Sequence, residues 1–282
     1  MKIKKRWLTC IIFASIGVVL SLVGAIGMKF DFSSIGRGKL QSFEEEYASE
    51  TYQNQVKSLK ITNYYGNISV STKDDASNFS IQYMAYEKEG VDVSLSSDGT
   101  LNIVQGKGLS VAKPWYNAFS YLEKKGELKI EIPSSWQFES FFFNLRRGNA
   151  KINNMKINTQ SYEIHQGKVQ IKDLSGNDFQ IKNYGGTIRM ENISFEKSSR
   201  INQFFGSISI QKFFTKDLSF MIHFGDMNLS MDALKDDFRI QVKKDWLSSK
   251  NVKNNEANEQ AYRISGSVKL GKVRIYFLEN KA

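Results

Sequence analysis

Apolar and polar residues alternate in a fixed register after seven glycines of this 282-residue chain. The second and fourth residues after each glycine are apolar, whereas the first and third are polar, as in Gly186-Thr187-Ile188-Arg189-Met190. Alternation with a period of two is typical of a β-strand that buries one face and exposes the other. The seven glycines are Gly66, Gly148, Gly167, Gly186, Gly206, Gly225 and Gly271.

The central glycines also recur at a nearly constant spacing. Successive glycines from Gly148 to Gly225 are separated by 19, 19, 20 and 19 residues. A further apolar residue lies five positions before each glycine except Gly271, and another lies seven positions after several of them. Each unit is therefore predicted to be a strand, a bend at the glycine, a second strand and a turn.

One such unit cannot bury its apolar face alone, but stacked copies form a continuous core. The sequence therefore predicts an all-β fold, a β-solenoid or β-helix of stacked strand repeats of 19 residues. Glycine is expected where the chain bends sharply. A β-sandwich of hairpins is the alternative, because it also places turns every 8–12 residues or so. The fixed period favours the solenoid.

Strands are also predicted outside the regular block, with a turn at Ser97-Asp98-Gly99. These strands are Phe79–Tyr86, Val91–Leu95, Thr100–Val104 and Glu127–Ile132. Two segments interrupt the pattern. Residues 106–126 are predicted to be an excursion on the rim, and the segment from about Lys244 to Gln260 is rich in Asn and Lys, as in a mobile loop.

The N-terminal residues predict a location at the cell membrane. Trp7 to Met28 form 22 positions without a charge, directly after a cluster of Lys and Arg. About 20 apolar residues span a bilayer and the basic side stays cytoplasmic, so the remaining chain is expected to be extracellular. A cleaved signal peptide is the alternative, although its apolar core is usually shorter and only Val23-Gly24-Ala25 resembles a cleavage site.

The predicted organisation has three parts. Residues 1–28 form a basic cytoplasmic stub and a single transmembrane helix, residues 29–56 a polar stalk, and residues 57–282 a β-strand-repeat ectodomain, most regular over 141–232. Glu44–Glu46 lie in a helix-prone stretch of the stalk.

The net charge indicates which partners the chain could bind, and the cysteine content indicates whether disulfides stabilise it. Subtracting the four cations of residues 1–28 from the 39 of the whole chain leaves 35 Lys and Arg against 29 Asp and Glu, a net charge of +6. This charge favours anionic surroundings such as cell-wall polymers or lipid headgroups. A Lys-rich surface that only keeps the protein soluble is the alternative. An outward-facing domain is not expected to bind nucleic acid. The one cysteine, Cys10, excludes a disulfide framework.

The apolar N-terminal segment, a strand that ends in Ile132-Pro133 and the repeated Gly-x-apolar-x-apolar units together resemble domain-of-unknown-function family 4097. The resemblance covers about residues 57–278. That family is labelled a bacterial putative adhesin and includes LiaG-type proteins of cell-envelope stress operons. The resemblance implies a surface-exposed β-strand-repeat domain with envelope regulators as neighbours, and it supplies no catalytic residues.

No residue pattern predicts an enzyme, a cofactor or a metal site. The sequence lacks the H-E-x-x-H, G-x-S-x-G, P-loop and EF-hand patterns. His165 and His223 both lie two residues before a repeat glycine, so a solenoid would stack them in one column, three coils or about 14 Å apart. Because donors to one metal ion lie near 2 Å from it, the two histidines are not expected to share a metal.

Adjacent aromatic residues indicate a binding face. Neighbouring residues of a strand point in opposite directions, so at least one ring of Phe141-Phe142-Phe143 is expected to face outward or to meet another element. The predicted face combines Phe141 with Arg146, Arg147 and the rim residues Trp115 and Tyr116. Packing of the rings beneath the excursion or against the stalk is the alternative.

The predicted function is that of an outward-facing, adhesin-like protein that binds or senses a component of the cell envelope, such as an anionic cell-wall polymer. A structural or regulatory partner of a membrane envelope-stress protein is the alternative, and a wall-polymer hydrolase is a third.

Overall fold

Long, bent β-strands form most of the described chain. The computed structural model describes residues 41–47, 55–85, 91–106, 127–245, 248–251, 254 and 262–278. The chain divides into Met1–Lys39, which lies outside the described residues, and a compact unit, Leu40–Ala282. In chain order the strands are β1 (Gln41–Tyr47), β2 (Ser58–Asn63), β3 (Gly66–Lys73), β4 (Phe79–Ala85), β5 (Val91–Leu95), β6 (Thr100–Gln105), β7 (Glu127–Pro133), β8 (Ser140–Lys156), β9 (Thr159–Asn183), β10 (Thr187–Gln203), β11 (Ser207–Leu234), β12 (Phe238–Lys244), β13 (Ser248–Lys250) and β14 (Tyr262–Leu278). A short 3₁₀ helix, Lys235–Asp237, precedes β12. The predicted all-β class is confirmed.

The repeat units stack in parallel, each in register with the next. We call one unit a coil, the segment before its glycine side A, and the segment after its glycine side B. Ile188 lies opposite Val169 on one neighbouring coil and opposite Ile208 on the other. The step between these neighbours is therefore the spacing of the glycines. Strands β8–β11 pair in parallel, as in a solenoid of stacked coils. A β-sandwich of hairpins, the alternative prediction, would pair neighbouring strands antiparallel.

All seven repeat glycines lie in one column, which we call the glycine corner. Gly66 pairs with Gly148, Gly148 with Gly167, and Gly225 with Gly271. The backbone at Gly167 has a φ of 138°, and a Cβ there would overlap the carbonyl oxygen of Gly148. Neighbouring coils can approach this closely because neither carries a side chain at the corner.

The predicted inward positions are buried. The residues two and four positions after the glycines all belong to one core, as do the apolar residues five positions before them. Seven positions after the glycines the pattern holds only in the middle of the stack, where Met155, Leu174, Ile193 and Phe213 are buried, whereas Asp232 and Leu278 are exposed. Ile188 and Ile208, in the same column of adjacent coils, are fully buried. The Gly271 coil has Gly266 five positions before its glycine, where a Cβ would lie 2.5 Å from the ring of Phe220. The exception to the repeat pattern therefore makes room for a large neighbour.

Buried side-chain amides form hydrogen bonds to the backbone of the glycine corner in several coils. Asn183 is fully buried, and its Nδ2 donates to the carbonyl oxygen of Gly186 at 2.9 Å. The backbone N–H of Gly186 donates in return to Asn183 Oδ1 at 2.7 Å. Asn63 and Gln203 make the same bond to the glycine carbonyl three residues later, at 3.0 and 2.7 Å. Gly66 and Gly186 are buried, so the bonds there give partners to backbone groups inside the fold.

The order of coils along the stack departs from chain order at both ends. Near the C-terminus, β14 pairs with β11 on one side and with β12 and β13 on the other. The last strand of the chain therefore lies between β11 and the two strands that precede it in sequence. Near the N-terminus, β2 and β3 pair with β8, while β6 and β7 form the coil beyond them. Each end of the stack therefore has an outermost coil, formed by β6 and β7 at one end and by β12 and β13 at the other. One further coil, β2 with β3 or β14, separates it from the central coils.

Antiparallel strands extend the N-terminal end of the sheet. Strand β4 pairs with β1 and with β7, and β5 pairs with β6. The prediction of a helix-prone stretch at Glu44–Glu46 is wrong, because these residues belong to β1. Gln82 Nε2 donates to Glu44 Oε1 at 2.5 Å, and Tyr83 Oη donates to Glu45 Oε1 at 2.8 Å. Cross-strand partners thus favour the extended conformation over local helix propensity.

The remaining predicted segments have different outcomes. Val91–Leu95 is a strand with the predicted bounds, and β4, β6 and β7 differ by one residue at their C-terminal ends. The second predicted excursion contains a strand, β13, and so is not a loop throughout. The predicted anchor, the possible cleavage site and residues 107–126 lie outside the described residues. Within the described ranges, no helix has the length and apolar character needed to cross a membrane.

Candidate functional site

Side A exposes polar side chains in columns that run along the stack. Strand alternation turns the residues eight, six, four and two positions before each glycine away from the core. Parallel register repeats each column at about 4.8 Å per coil. Two of these columns form a groove, and a third forms a stack of rings at the glycine corner.

The groove is shallow and has a volume of about 370 Å³. Its first column, six residues before the glycines, contains Ser161, Gln180, Arg200, Ser219 and Ser265. Its second column, eight residues before the glycines, contains Thr159, Asp178, Ser198, Asp217 and Arg263. Small hydroxyl side chains leave the depression open, and hydroxyl, amide and charged groups alternate along its length. Such a surface offers hydrogen bonds at every coil to an extended ligand.

The charged groups of the groove have protein partners, apart from Arg200. Arg263 Nε donates to Asp217 Oδ1 at 3.1 Å and Arg263 Nη2 donates to Oδ2, which raises the pKa of the Arg263 guanidinium. Ser198 Oγ donates to Asp178 Oδ1 at 2.6 Å. Arg200 is exposed and has no ion-pair partner in the described part of the chain. Its guanidinium is free to bind a phosphate or a carboxylate with two parallel hydrogen bonds.

A continuous stack of rings occupies the column two residues before the glycines. The ring centroids of His165 and Tyr184 are 4.6 Å apart, those of Tyr184 and Phe204 4.9 Å, and those of Phe204 and His223 4.8 Å. The largest angle between successive rings is 11°. Each inner ring is covered on both faces by its neighbours, so only ring edges reach the surface.

Two further rings stack beside this column. Phe205 and Phe224 have centroids 5.0 Å apart and planes inclined by 7°. Their exposed fractions are 55% and 43%, high values for phenylalanine in a folded domain. Met221, two residues before the His223 ring, is 42% exposed. The corner therefore carries a concentrated apolar surface.

The structure separates the residues of the predicted binding face. Arg146 and Arg147 are exposed, and Arg146 Nη1 lies 2.9 Å from Nε2 of His165, at the end of the ring stack. Trp115 and Tyr116 lie outside the described residues. Phe141 is not part of any outer face, because it is 1% exposed.

The correction at Phe141 follows from strand register. Its ring packs in the core, 6.3 Å from the ring of Phe143 and 5.7 Å from that of Tyr162. Phe142 is the outward residue, and the ammonium of Lys60 lies 5.7 Å from its ring centroid. Three consecutive phenylalanines do not themselves indicate which faces outward, since either register buries an apolar side chain.

The two histidines lie in the same stack, separated by the rings of Tyr184 and Phe204, as the spacing predicted. Over the described ranges, no group of three or more His, Cys, Asp or Glu side chains is placed to hold a metal ion.

The groove was not predicted from the sequence, although its signal is present. Polar residues recur six and eight positions before the glycines from Gly167 to Gly271. Any polar residue satisfies an outward strand position, so such columns are uninformative until the register shows which of them are adjacent. The serines that leave the groove open can be recognised as part of one site only from that adjacency.

Comparison with known proteins finds a family and distant structural similarity. A family model described as Toastrack DUF4097 matches residues 56–281. A putative adhesin from Bacteroides fragilis is 15% identical over 83% of this chain and 97% of its own, with a TM-score of 0.49. A putative adhesin from Parabacteroides distasonis is 10% identical over 86% of this chain and 98% of its own, with a TM-score of 0.44. A putative cell adhesion protein from Clostridium sporogenes is 12% identical over 85% of this chain and all of its own, with a TM-score of 0.34. No curated protein matches this chain.

Proposed function

This chain belongs to the Toastrack DUF4097 family, and from that premise we propose that it is a bacterial envelope protein that binds an anionic cell-wall polymer along side A. In this proposal the groove holds the polymer, and Arg200 pairs with one of its phosphate or carboxylate groups. The domain faces outward from the cell membrane, in an adhesin-like role.

The observation that carries the proposal is an exposed, unpaired guanidinium within a row of hydroxyl and amide groups. Gln180 and Ser219 occupy the positions of Arg200 on the neighbouring coils. A polymer laid along the stack would meet a new set of donors and acceptors at each coil, about 4.8 Å further on. The net charge of +6 over residues 29–282 adds a long-range attraction to an anionic polymer.

The outward location rests on the N-terminal sequence. The charge-free run from Trp7 to Met28 follows a basic cluster, the arrangement of a single-pass anchor with its basic end in the cytoplasm. Protease treatment of intact cells tests this orientation. The ectodomain should be digested, and a full-length product that resists external protease would contradict the proposal.

We propose that the chain acts by binding and not by catalysis. The two carboxylates in the groove already accept hydrogen bonds, Asp217 from Arg263 and Asp178 from Ser198. A general acid or base needs a carboxyl group within reach of a substrate proton, and these two are engaged with protein groups.

Binding of the purified full chain to poly(glycerol phosphate) tests the groove. Arg200→Glu should weaken binding by about tenfold, the effect of losing one charge-assisted hydrogen-bonded pair. Arg189→Glu is the matched control, because Arg189 is an exposed arginine on side B and its replacement changes the net charge equally. Equal weakening by the two substitutions would mean that only overall charge matters, and the groove assignment would be wrong.

A further inference from the structure

The two residues before each of the seven repeat glycines form two adjacent columns along the stack, which we call the corner strip. Every residue of the strip is half-buried or exposed. The strip contains no Asp or Glu, and most of its residues are Tyr, Phe or His. Its charged residues are all cations, Arg146, Arg147 and Lys269. This composition is independent of the groove, since the strip lies in different columns.

The phenylalanines of the corner strip lie on two adjacent coils, those of Gly206 and Gly225. The exposed rings of Phe205 and Phe224 lie side by side there, and Leu270 follows opposite Phe224 in the register. Exposed, contiguous apolar side chains of this kind mark an interaction surface in a soluble domain. Because the rings stack on one another, their edges and not their faces point outward, so a sugar ring could not lie flat on the inner ones.

Cations lie on both sides of the phenylalanines along the strip, three coils from Phe205 on one side and on the coil next to Phe224 on the other. Arg146 and Arg147 are exposed on one side, and Lys269 is exposed on the other. Lys269 lies opposite His223 in the register of β11 and β14. Two acids lie beside the strip: Glu163 Oε1 is 3.1 Å from His165 Nε2, and Asp226 lies opposite Lys272 in the register. The charged residues of the strip itself are cations, and they lie on both sides of an apolar patch.

We infer that the corner strip docks on the surface of an anionic lipid bilayer. The phenylalanine edges enter the headgroup region, and the flanking guanidinium and ammonium groups meet lipid phosphates. A free anionic polymer would use the cations but would not require exposed phenylalanines. Because the coils are in register, the seven pairs form one row that extends about 29 Å at about 4.8 Å per coil, so several coils can contact one membrane surface. This contact goes beyond the proposed binding in the groove.

A fluorescent probe on the full chain tests the contact. Cys10→Ser removes the natural thiol, and Gln166→Cys places a label in the strip without removing a phenylalanine or a cation. The labelled chain is incorporated in vesicles of phosphatidylcholine and phosphatidylglycerol that carry a nitroxide quencher on their headgroups. We expect strong quenching at position 166 and little at Ser230→Cys, an exposed position on side B.

Two variants separate membrane docking from other contacts. Phe205→Ser combined with Phe224→Ser should reduce quenching at position 166 at least twofold, as should vesicles of phosphatidylcholine alone. Arg200→Glu in the groove should leave the quenching unchanged, and the double phenylalanine variant should still bind poly(glycerol phosphate). Equal quenching at positions 166 and 230, or none at either, would overturn the inference. So would quenching at 166 that survives the double substitution, and so would concentration-dependent self-quenching of the label without vesicles, which would indicate a second copy of the chain as the occupant.

Discussion

Residues with positive φ lie in two columns of the stack, and the two columns accept different amino acids. At the glycine corner φ is 93–141° in all the repeat glycines except Gly186. Six residues later φ is 52–59° at Asn154, Asp173, Asn192 and Lys212, which we call the left-handed column. Both conformations are uncommon for residues with a side chain. Positive φ alone therefore does not explain why only one of the two columns is made of glycine.

The difference is how closely the neighbouring coil approaches. A Cβ on Gly167 or on Gly225 would overlap the carbonyl oxygen of the preceding glycine in the column. Side chains of the left-handed column project into solvent, and Asn192 Nδ2 donates to Asp173 Oδ1 at 2.8 Å. Glycine is thus required where backbones touch, whereas Asn or Asp suffices where only the dihedral angle is unusual.

Gly167→Ala is expected to have the largest effect, a loss of more than about 4 kcal/mol in the free energy of unfolding. The new methyl group would force two coils apart at the glycine corner. Gly185→Ala is the control, because a Cβ there would lie 3.1 Å from the carbonyl oxygen of His165 and φ is not positive. The control should lose less than about 1 kcal/mol. Similar losses in thermal or denaturant unfolding would mean that close approach does not explain the glycine column.

Ile188→Asp probes the strand between the two columns. Ile188 is fully buried, so an unpaired carboxylate there should cost about 3–5 kcal/mol. Thr187 faces outward and is half-buried, so Thr187→Asp should change stability by at most about 0.5 kcal/mol. The same contrast is expected one coil later between Ile208 and Ser207. Equal effects in thermal melts would show that the register is wrong.

Asn183→Leu tests the hydrogen bonds between the Asn183 amide and the backbone of Gly186 at the glycine corner. The substitution keeps the volume but removes the acceptor for the Gly186 N–H, and a buried unsatisfied group costs about 1–3 kcal/mol. Asn202→Leu, a matched change at a half-buried outward position, should alter stability by about 0.5 kcal/mol or less. Urea unfolding of both variants measures the difference. If Asn183→Leu were as stable as Asn202→Leu, the amide would not contribute to the corner.

Lys212→Asn should stabilise the protein, the smallest effect expected here. Lys212 has a φ of 52°, which Asn adopts more readily, so a gain of about 0.5–1 kcal/mol is expected. The reverse change, Asn192→Lys, should lose a similar amount, and it also removes the hydrogen bond to Asp173. A loss of stability in Lys212→Asn would show that the lysine makes a compensating interaction and that the dihedral angle does not control residue choice in this column.

The sequence by itself determined the coil. The alternation around Ile188 fixed which residues face the core, and the spacing of the glycines fixed the step between coils. Both are local properties, since a period of two follows from strand geometry and close packing at a sharp bend admits only glycine. The family resemblance rested on these repeats together with the apolar N-terminal segment and the strand that ends in Ile132-Pro133, and the family match over residues 56–281 confirms it.

The candidate sites depended on tertiary structure to a much greater extent. Arg200, Ser219 and Gln180 lie about 20 residues apart in sequence, and only parallel register makes them neighbours. Phe141 and Phe142 are chemically identical, so their positions inside and outside follow from pairing with β2 and β9 and not from their own sequence. The rings of Phe205 and Phe224 become a surface only when their coils stack.

Tertiary structure alone decided the order of the coils at the ends. Strand β14 carries the same alternation as the repeats before it, yet it lies between β11 and β12. Alternation specifies which face of a strand is buried but not which strand lies beside it, because any neighbour with a matching apolar face satisfies the pattern. Strand β1 shows the same dependence, since Glu44 and Glu45 are held extended by Gln82 and Tyr83 of β4. Partner choice is a property of backbone hydrogen bonds and side chains distant in sequence, and it is established only when the whole stack has formed.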